Sequence, residues 1–453
     1  MNEQKVHGDT AGRAGLYRFI WRWHFYAGLL FAPILVMLAV TGGLYLFKPY
    51  VEPLMHPGLH NVQVGSEALP PSKQLAAVAE AYPDGYVMSF TDVDDKKRAT
   101  EIGLMKGDTA YTVFVNPYTG KLLGELQNDK RLMSILIALH GELMVGEKGD
   151  IIVELSASWA IILLATGLYL YWPRSKQTFL DVFRIRMRQG KRLFWRDLHA
   201  STGFWMSAIL LVLILTGLPW ASSFGDRLGK VVEAGNLSNA PVNLYGAEST
   251  MVMKDVAETN WAAENLPLPE SVYAHTGMLP IEYMIQLAAD KQIEPGYTVT
   301  MPEGDTGVYV ISTYGWAAKS VSNYATMNID QYSGEVLVDY RWKDYSPFDK
   351  TVEIGIALHE GRYFGWPNLL IGLLACLSLV LIAASGIIMW WKRRPAGSFG
   401  APASRKLEGN RVRIGLIVLT ILLAALMPLV GISILAVVVI DLIARLARRL
   451  RRS

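Results

Sequence analysis

Four runs of apolar residues constrain this chain more than any other feature. They extend roughly from Phe25 to Phe47, Ile151 to Trp172, Phe204 to Trp220 and Leu369 to Trp391. Each is long enough, or nearly so, for the ~20 apolar residues that a helix needs to cross a hydrocarbon core. The expectation is a multi-pass membrane protein with four helical spans. A fifth apolar block, 414–443, is interrupted by Pro428 and Gly431. Read alone it is either one kinked span or a re-entrant hairpin turning at Pro428. The positive-inside rule favours the hairpin, because Arg445, Arg448, Arg449, Arg451 and Arg452 follow it.

The charges set the orientation. Lys and Arg cluster in the N-terminus (Lys5, Arg13, Arg18, Arg22), in the loop after the second run (Arg174 to Arg196) and after the fourth (Lys392 to Arg413). Basic residues near span ends mark the cytoplasmic side, so these three regions are expected inside. The long segments of roughly 49–130 and 222–350 carry more acidic than basic residues and are expected outside. The net charge of +3 conceals this asymmetry. Because the basic loops fall where topology demands them, a nucleic-acid partner is not expected. The first 16 residues are polar and the next apolar run is too long for a signal-peptide core, so a retained signal anchor is expected. Cys376 is the sole cysteine and lies inside the fourth run. That excludes disulfides, cysteine-ligated zinc, iron–sulfur clusters and covalent Cys-x-x-Cys-His haem.

The chain also repeats. Residues 139–174 contain His140, then Gly167 after 27 positions and Trp172 after 5 more; residues 358–394 contain His359, Gly386 and Trp391 at the same spacing. The other two spans repeat as well. Gly28 follows His24 by four positions and Thr41-Gly42 by 17 and 18, as Gly203 and Thr216-Gly217 follow His199. The outer segments match through Tyr118-Thr119-Gly120 and Tyr332-Ser333-Gly334, each between strand patterns, and through helical periods at 72–82 and 282–292. An internal duplication is therefore expected, each half containing a span, an outer α+β domain, a histidine and a second span.

Four of the eight histidines occupy equivalent points of this repeat. His24 and His199 are expected near the cytoplasmic face, and His140 and His359 near the outer face, about ten residues before their spans. Ionisable side chains at membrane depth are costly and face a cavity, a partner or a ligand. Two histidines facing one another between helices suit the axial positions of haem iron, and an apolar macrocycle suits apolar helices. Glycines near the span ends, Gly42, Gly43, Gly167 and Gly386, either admit a flat ring to the backbone or pack helices closely. Arg22 and Arg196 are candidate partners for the propionates of an inner haem, and Arg131 and Lys350 for those of an outer one; all four can equally be topology anchors. Zinc competes through Glu142 and Glu360 beside His140 and His359, but neither copy has a His-Glu-x-x-His helix. Trp261, Tyr314, Trp316 and Trp342 are available to line an outer substrate site or to form domain core.

The stretches "WRWHFYAG", "TGLYLYWPR" and "PLVGISILAVVVIDLI" resemble the PepSY-associated transmembrane proteins, which include iron-regulated bacterial inner-membrane proteins and ferric-siderophore reductases. The most specific parts are His140 with Thr166 to Arg174, and Val113 to Gly120, which is similar to the PepSY domain signature. The fourth span departs from the pattern, with Ala384-Ser385-Gly386 in place of Thr-Gly and no proline after Trp391. The resemblance implies a two-haem b-type inner-membrane oxidoreductase, N-terminus cytoplasmic, that reduces ferric siderophore on the periplasmic side. His24, His199, His140 and His359 would be the iron ligands. Electrons are expected from quinol or a separate cytoplasmic reductase, since the cytoplasmic segments are short and lack a Gly-x-Gly-x-x-Gly loop. The alternative is a haem-free PepSY-domain membrane protein that binds or regulates a periplasmic partner.

The expected organisation runs as follows. Residues 1–48 are the N-terminus and first span, 49–130 the first PepSY-like domain, 131–173 the outer histidine segment and second span, and 174–198 the basic loop. Residues 199–221 are the third span, 222–350 the second PepSY-like domain, 351–392 the second histidine segment and fourth span, and 393–453 the last loop and apolar segment. Membrane lipid surrounds the four-span bundle.

Overall fold

The computed structural model describes residues 2–172, 184–238, 251–272, 277–394 and 410–450. Pro173, Arg174, His275 and the basic residues from Pro395 to Gly409 lie outside the described residues. Among the described residues four helices are long and apolar enough to cross a membrane: Gly15–Tyr45, Glu147–Tyr171, Lys191–Trp220 and Trp366–Lys392. They fall on the four apolar runs of the sequence. The chain divides into two compact units.

One unit comprises Met1–Leu44, Ile137–Leu228 and Ile371–Ser453 and contains most of the four long helices. Aromatic side chains pack part of it. Trp23 and Phe31 both stack on Trp159, with ring centroids 5.9 and 5.7 Å apart, and Ala27, Leu35, Ala160 and Val430 complete the cluster. The indole N–H of Trp159 donates to Ser433 Oγ at 3.1 Å, tying the C-terminal segment to the second span. That segment forms two helices, Asn410–Leu426 and Pro428–Leu450. Pro428 has no N–H with which to continue the ladder. A Cβ built on Gly431 would lie 2.5 Å from Cβ of Ala424, whereas residues seven apart in a straight helix are separated by about 10 Å. The chain therefore turns back at Met427-Pro428, as the hairpin reading expects.

Two carboxylates of the second span, Asp150 and the buried Glu154, organise the end of the third span. Asp150 accepts from the backbone N–H of Ser222 at 2.8 Å and from its hydroxyl. Glu154, one turn further along the second span, accepts from the N–H groups of Ser223 and Phe224 at 3.1 and 3.2 Å. Together they satisfy the unpaired donors that open the helix Ser222–Gly235.

The other unit comprises Tyr45–Leu136 and Gly229–Leu370. Its centre is one eight-stranded antiparallel sheet in the order β4-β3-β2-β1-β5-β6-β7-β8. The strands are β1 Gly85–Thr91, β2 Thr100–Lys106, β3 Thr109–Val115, β4 Leu122–Gln127, β5 Thr298–Thr300, β6 Val308–Thr313, β7 Ala325–Asp330 and β8 Val336–Arg341. Each set of four is a meander, and the two meet where β1 pairs with β5, Phe90 opposite Val299. The sequence reading expects two outer domains. Their strands instead form a single sheet, because Ser89–Thr91 of β1 pair with the three-residue β5 and each covers the other's edge there. The helices Pro71–Ala81 and Ile281–Asp290 pack on it through Val78, Met284 and Ala288, against Ile102, Leu104, Val113, Ile311 and Met327. A second core, including Met253, Val308, Val310, Tyr324 and Tyr340, covers part of β6 to β8. That explains why every residue of β6 and β7 is buried, with no alternation between a wet and a dry face.

The two meanders end alike. Asn116 Oδ1 accepts from the N–H groups of Tyr118 and Thr119, and Asp330 Oδ1 from those of Tyr332 and Ser333. Gly120 and Gly334 follow at φ +70° and +74°, the left-handed region that glycine enters without steric cost.

Candidate functional site: a histidine pair between membrane helices

Three of the four repeat histidines are held by one device. His24 Nδ1 lies 2.9 Å from Thr166 Oγ1, and His140 Nδ1 lies 2.9 Å from Thr41 Oγ1. His199 Nδ1 lies 2.9 Å from the Ile382 carbonyl and 3.3 Å from Ser385 Oγ. In each case the residue after the hydroxyl is glycine, and the ring rests on it. A Cβ built on Gly167, Gly42 or Gly386 would come within 3.2, 3.1 or 3.5 Å of Cε1 of His24, His140 or His199 respectively. These glycines make room for the imidazoles themselves, a role beside the two that the sequence leaves open, a floor for a flat ring or close helix packing. Gly43 differs, facing Cys376. Ser385-Gly386, the apparent departure in the fourth span, supplies the same hydroxyl and the same gap as Thr-Gly.

The hydrogen bonds fix the tautomer. Thr41, Thr166 and Ser385 donate their hydroxyl protons to carbonyls of their own helices, Met37, Ile162 and Leu381, at 2.9, 2.6 and 2.7 Å. The hydroxyl is then an acceptor toward the ring, and the Ile382 carbonyl can only accept. Nδ1 therefore carries the proton in His199, and the hydroxyls of Thr166 and Thr41 are placed to accept from Nδ1 of His24 and His140 in the same way, leaving Nε2 with the lone pair. A metal-ligating imidazole requires this arrangement, with the second nitrogen anchored by a hydrogen bond.

The structure brings His24 and His199 together, with ring centroids 6.3 Å apart and planes at 89°. Two imidazoles on opposite sides of one metal, each bonded at about 2 Å, have centroids about 6 Å apart. One turn beyond His199, Gly203 leaves open space, since an added Cβ would meet nothing within 4 Å. One turn beyond His24, a Cβ on Gly28 would only touch Leu163 at 3.9 Å. The donor set, the spacing and the bare helix faces fit an iron porphyrin between these helices. His140 is held at the far end of the first span, on Thr41, 17 residues beyond His24 in a continuous helix. That is about 26 Å along the axis, close to the ~30 Å of a hydrocarbon core.

His140 sits in the last turn of the helix Leu132–Glu142, ahead of the second span. His359 ends the helix Pro347–His359, ahead of the fourth. A glycine-terminated cap fixes that second end. The N–H groups of Gly361 and Arg362 donate to the Leu358 and Ala357 carbonyls at 3.2 and 3.0 Å, with Gly361 at φ +76°.

The candidate propionate partners each have contacts within the protein. Arg196 and Arg186 both bind buried Asp197, Arg196 Nη2 at 2.7 Å and Arg186 Nε at 2.7 Å. Arg22 lies over the Tyr26 ring, 5.7 Å from its centroid. Arg131 pairs with Glu52 and donates to Thr112 at 3.3 Å, and Lys350 lies 5.8 Å from the Trp342 ring. Arg131 thus serves the structure of its own unit. Among the described residues no three His, Cys, Asp or Glu side chains converge as a zinc site needs, and Glu360 is bound by Arg362 at 2.5 Å. Trp261, Tyr314 and Trp342 pack against the second core of the sheet unit, while Trp316 lines a cavity.

Sequence reading missed the role of Thr41, Thr166 and Ser385, although the Thr-Gly pairs were visible. Asp197 as the anchor of two arginines had no signal beyond its place in a basic run.

Comparison with known proteins gives the chain's family. The chain is 27% identical over 276 residues to the uncharacterized protein PA4219 of Pseudomonas aeruginosa. The match takes in 58% of this chain and 64% of that protein, so the chain spans under two thirds of the length of the curated relative it matches. Residues 21–393 match the PepSY-associated TM region, from just ahead of His24 to the end of the fourth span. The chain therefore belongs to the PepSY-associated transmembrane family.

Proposed function

We propose that this chain is a di-haem b oxidoreductase of the bacterial inner membrane that moves electrons from the cytoplasmic to the periplasmic side and reduces ferric siderophore, releasing Fe(II). The reading is supported above all by the His24–His199 pair, 6.3 Å apart and locked as Nδ1–H tautomers. His24 and His199 would hold the inner haem, with Arg22 and Arg196 near its polar edge. The outer pair, His140 and His359, is carried by the repeat of the sequence. When bound, haem supplies a one-electron site within a low-dielectric layer. The protein's own residues fix the imidazoles, and the apolar side chains of the spans exclude water.

We further read the paired histidine segments and paired meanders as an internal duplication. The sheet unit is then periplasmic and the N-terminus cytoplasmic, following the basic loops. The donor is quinol or a separate cytoplasmic reductase.

An optical spectrum of the purified protein is the direct test. Expected are a Soret band and, on reduction, sharp low-spin α and β bands, with about half the haem lost in His24→Ala. No Soret band would favour a haem-free protein that binds or regulates a periplasmic partner. Dithionite-reduced protein should be reoxidised faster by a ferric siderophore than by its redox-inert gallium complex. Equal rates would remove the siderophore assignment alone.

A further inference from the structure

The device that holds the histidines follows a rule of exchange. His24 of the first span is held by Thr166 of the second, and His140, ahead of the second span, by Thr41 of the first. In the second half, His199 of the third span is held at Ile382 and Ser385 of the fourth. Within a half, each span carries the hydroxyl for the other's histidine, and one position completes the set. Thr216 follows His199 by 17 residues, as Thr41 follows His24, and the histidine it answers to is His359.

Thr216 has the hydrogen bonding of the other three hydroxyls. Its Oγ1 donates to the Val212 carbonyl at 2.8 Å and lies 3.2 Å from that of Leu213, four and three residues back. Thr41, Thr166 and Ser385 do the same toward Met37, Ile162 and Leu381, with second distances of 3.2, 3.2 and 3.0 Å to Leu38, Leu163 and Ile382. Such back-bonding is common for hydroxyls in helices, and Ser156 shows it toward Ile152 at 2.7 Å. What separates Thr216 from Ser156 is the next residue. Gly42, Gly167, Gly217 and Gly386 follow the four hydroxyls, whereas Ala157 follows Ser156. Thr216 also stands at the end of the helix Lys191–Gly217 away from His199, about 26 Å along the axis, as Thr41 does relative to His24. The backbone of His359 is fixed by the Gly361 cap and by Asn368, whose amide donates to the Leu358 carbonyl at 3.0 Å. A backbone fixed in this way does not set the angle or the tautomer of the ring; an acceptor at Nδ1 does.

We propose that Thr216 is the positioning residue of His359: its hydroxyl oxygen accepts from Nδ1–H, Gly217 makes room for the ring, and Nε2 is left with the lone pair. The repeat carries this, as it carries the outer pair, and its purpose rests on the di-haem reading.

The test uses the full-length protein in detergent, its oxidised form read by electron paramagnetic resonance and its haems by redox titration. Thr216→Val keeps the shape and removes the acceptor. It should shift one low-spin signal, the same one that Thr41→Val shifts, and leave unmoved the one that Thr166→Val shifts. Losing the acceptor makes the imidazole a poorer donor to iron(III), so the midpoint of that haem alone should rise. Thr216→Ser should restore the wild-type signal and midpoint. Gly217→Ala, which crowds the ring instead, should shift the same signal. Wild-type signals and midpoints in both Thr216→Val and Gly217→Ala overturn the proposal. So does a shift of the Thr166-linked signal instead, or one that Thr216→Ser does not reverse. If the purified protein holds no haem, the di-haem reading falls and Thr216 is tested separately. In ¹⁵N-histidine-labelled protein, the His359 resonance, identified by its loss in His359→Gln, should report Nδ1–H and move toward Nε2–H in Thr216→Val. An unchanged tautomer overturns the proposal there.

Discussion

Thr166 donates its hydroxyl proton within its own helix and accepts one from His24, so a single side chain selects which nitrogen of the histidine is free. The cost of losing it is one hydrogen bond, about 0.5–1.5 kcal/mol, together with the loss of tautomer control. On the proposed haem reading, Thr166→Val is therefore expected to lower haem retention and shift the low-spin electron paramagnetic resonance signal, while Thr166→Ser restores both. Identical signals in all three proteins would show that the contact does not position the ring. The glycines predict a graded series. Ala at Gly42 or Gly167 forces the imidazole aside by a few tenths of an ångström, whereas Ala at Gly386 makes an ordinary contact. His60 offers a second residue-scale test. It is 2% exposed, accepts from Arg98 at 2.9 Å and lies 3.7 Å from Glu101. Burial, aided by Arg98 and Arg131, pushes its pKa down to about 4. The folded state holds His60 neutral while the unfolded chain protonates near 6.5, so the unfolded state binds more protons in between. Stability of the sheet unit from this group should be full above about pH 6.5 and fall as pH drops toward 4. Thermal melts of His60→Asn across that range should show a shallower decline than wild type.

At the scale of elements, the C-terminal segment shows how one proline and one glycine decide a topology. Pro428 breaks the ladder and Gly431 lets Ala424 approach. Gly431→Val drives a branched side chain into Ala424 and should open the turn, read as faster limited proteolysis between the two helices than in wild type. Equal rates would restore the single kinked span. The short helix that presents His359 follows the same logic of endings: the Gly361 cap closes it and leaves the histidine in its last turn, and His140 likewise lies in the last turn of its helix.

At the scale of the molecule, the continuous sheet makes the two meanders one folding unit. Val299 is fully buried opposite Phe90 at their junction and belongs to the core shared by both halves. Val299→Asp places an unpaired charge there, with a cost of several kcal/mol. Hydrogen exchange should then rise together in β2 and in β7, strands on opposite sides of the junction. Loss of protection confined to β5 to β8 would mean two independent domains.

The spans, the helical and strand character of the outer segments, and the matched histidines were all legible in the residues. Apolar length and periodicity are local properties, and the repeat spacing survives in any fold. Tertiary structure decided three things. It joined two meanders that read as separate domains, because edge pairing between β1 and β5 leaves no periodic trace in either strand. It made Gly42, Gly167 and Gly386 seats for His140, His24 and His199, where the sequence left a floor for a ring or close helix packing open, since the partner of a glycine lies on another helix. It also turned Ser385 from a departure into an equivalent, because what the site uses is a hydroxyl at hydrogen-bond distance from Nδ1, and serine places one there as threonine does.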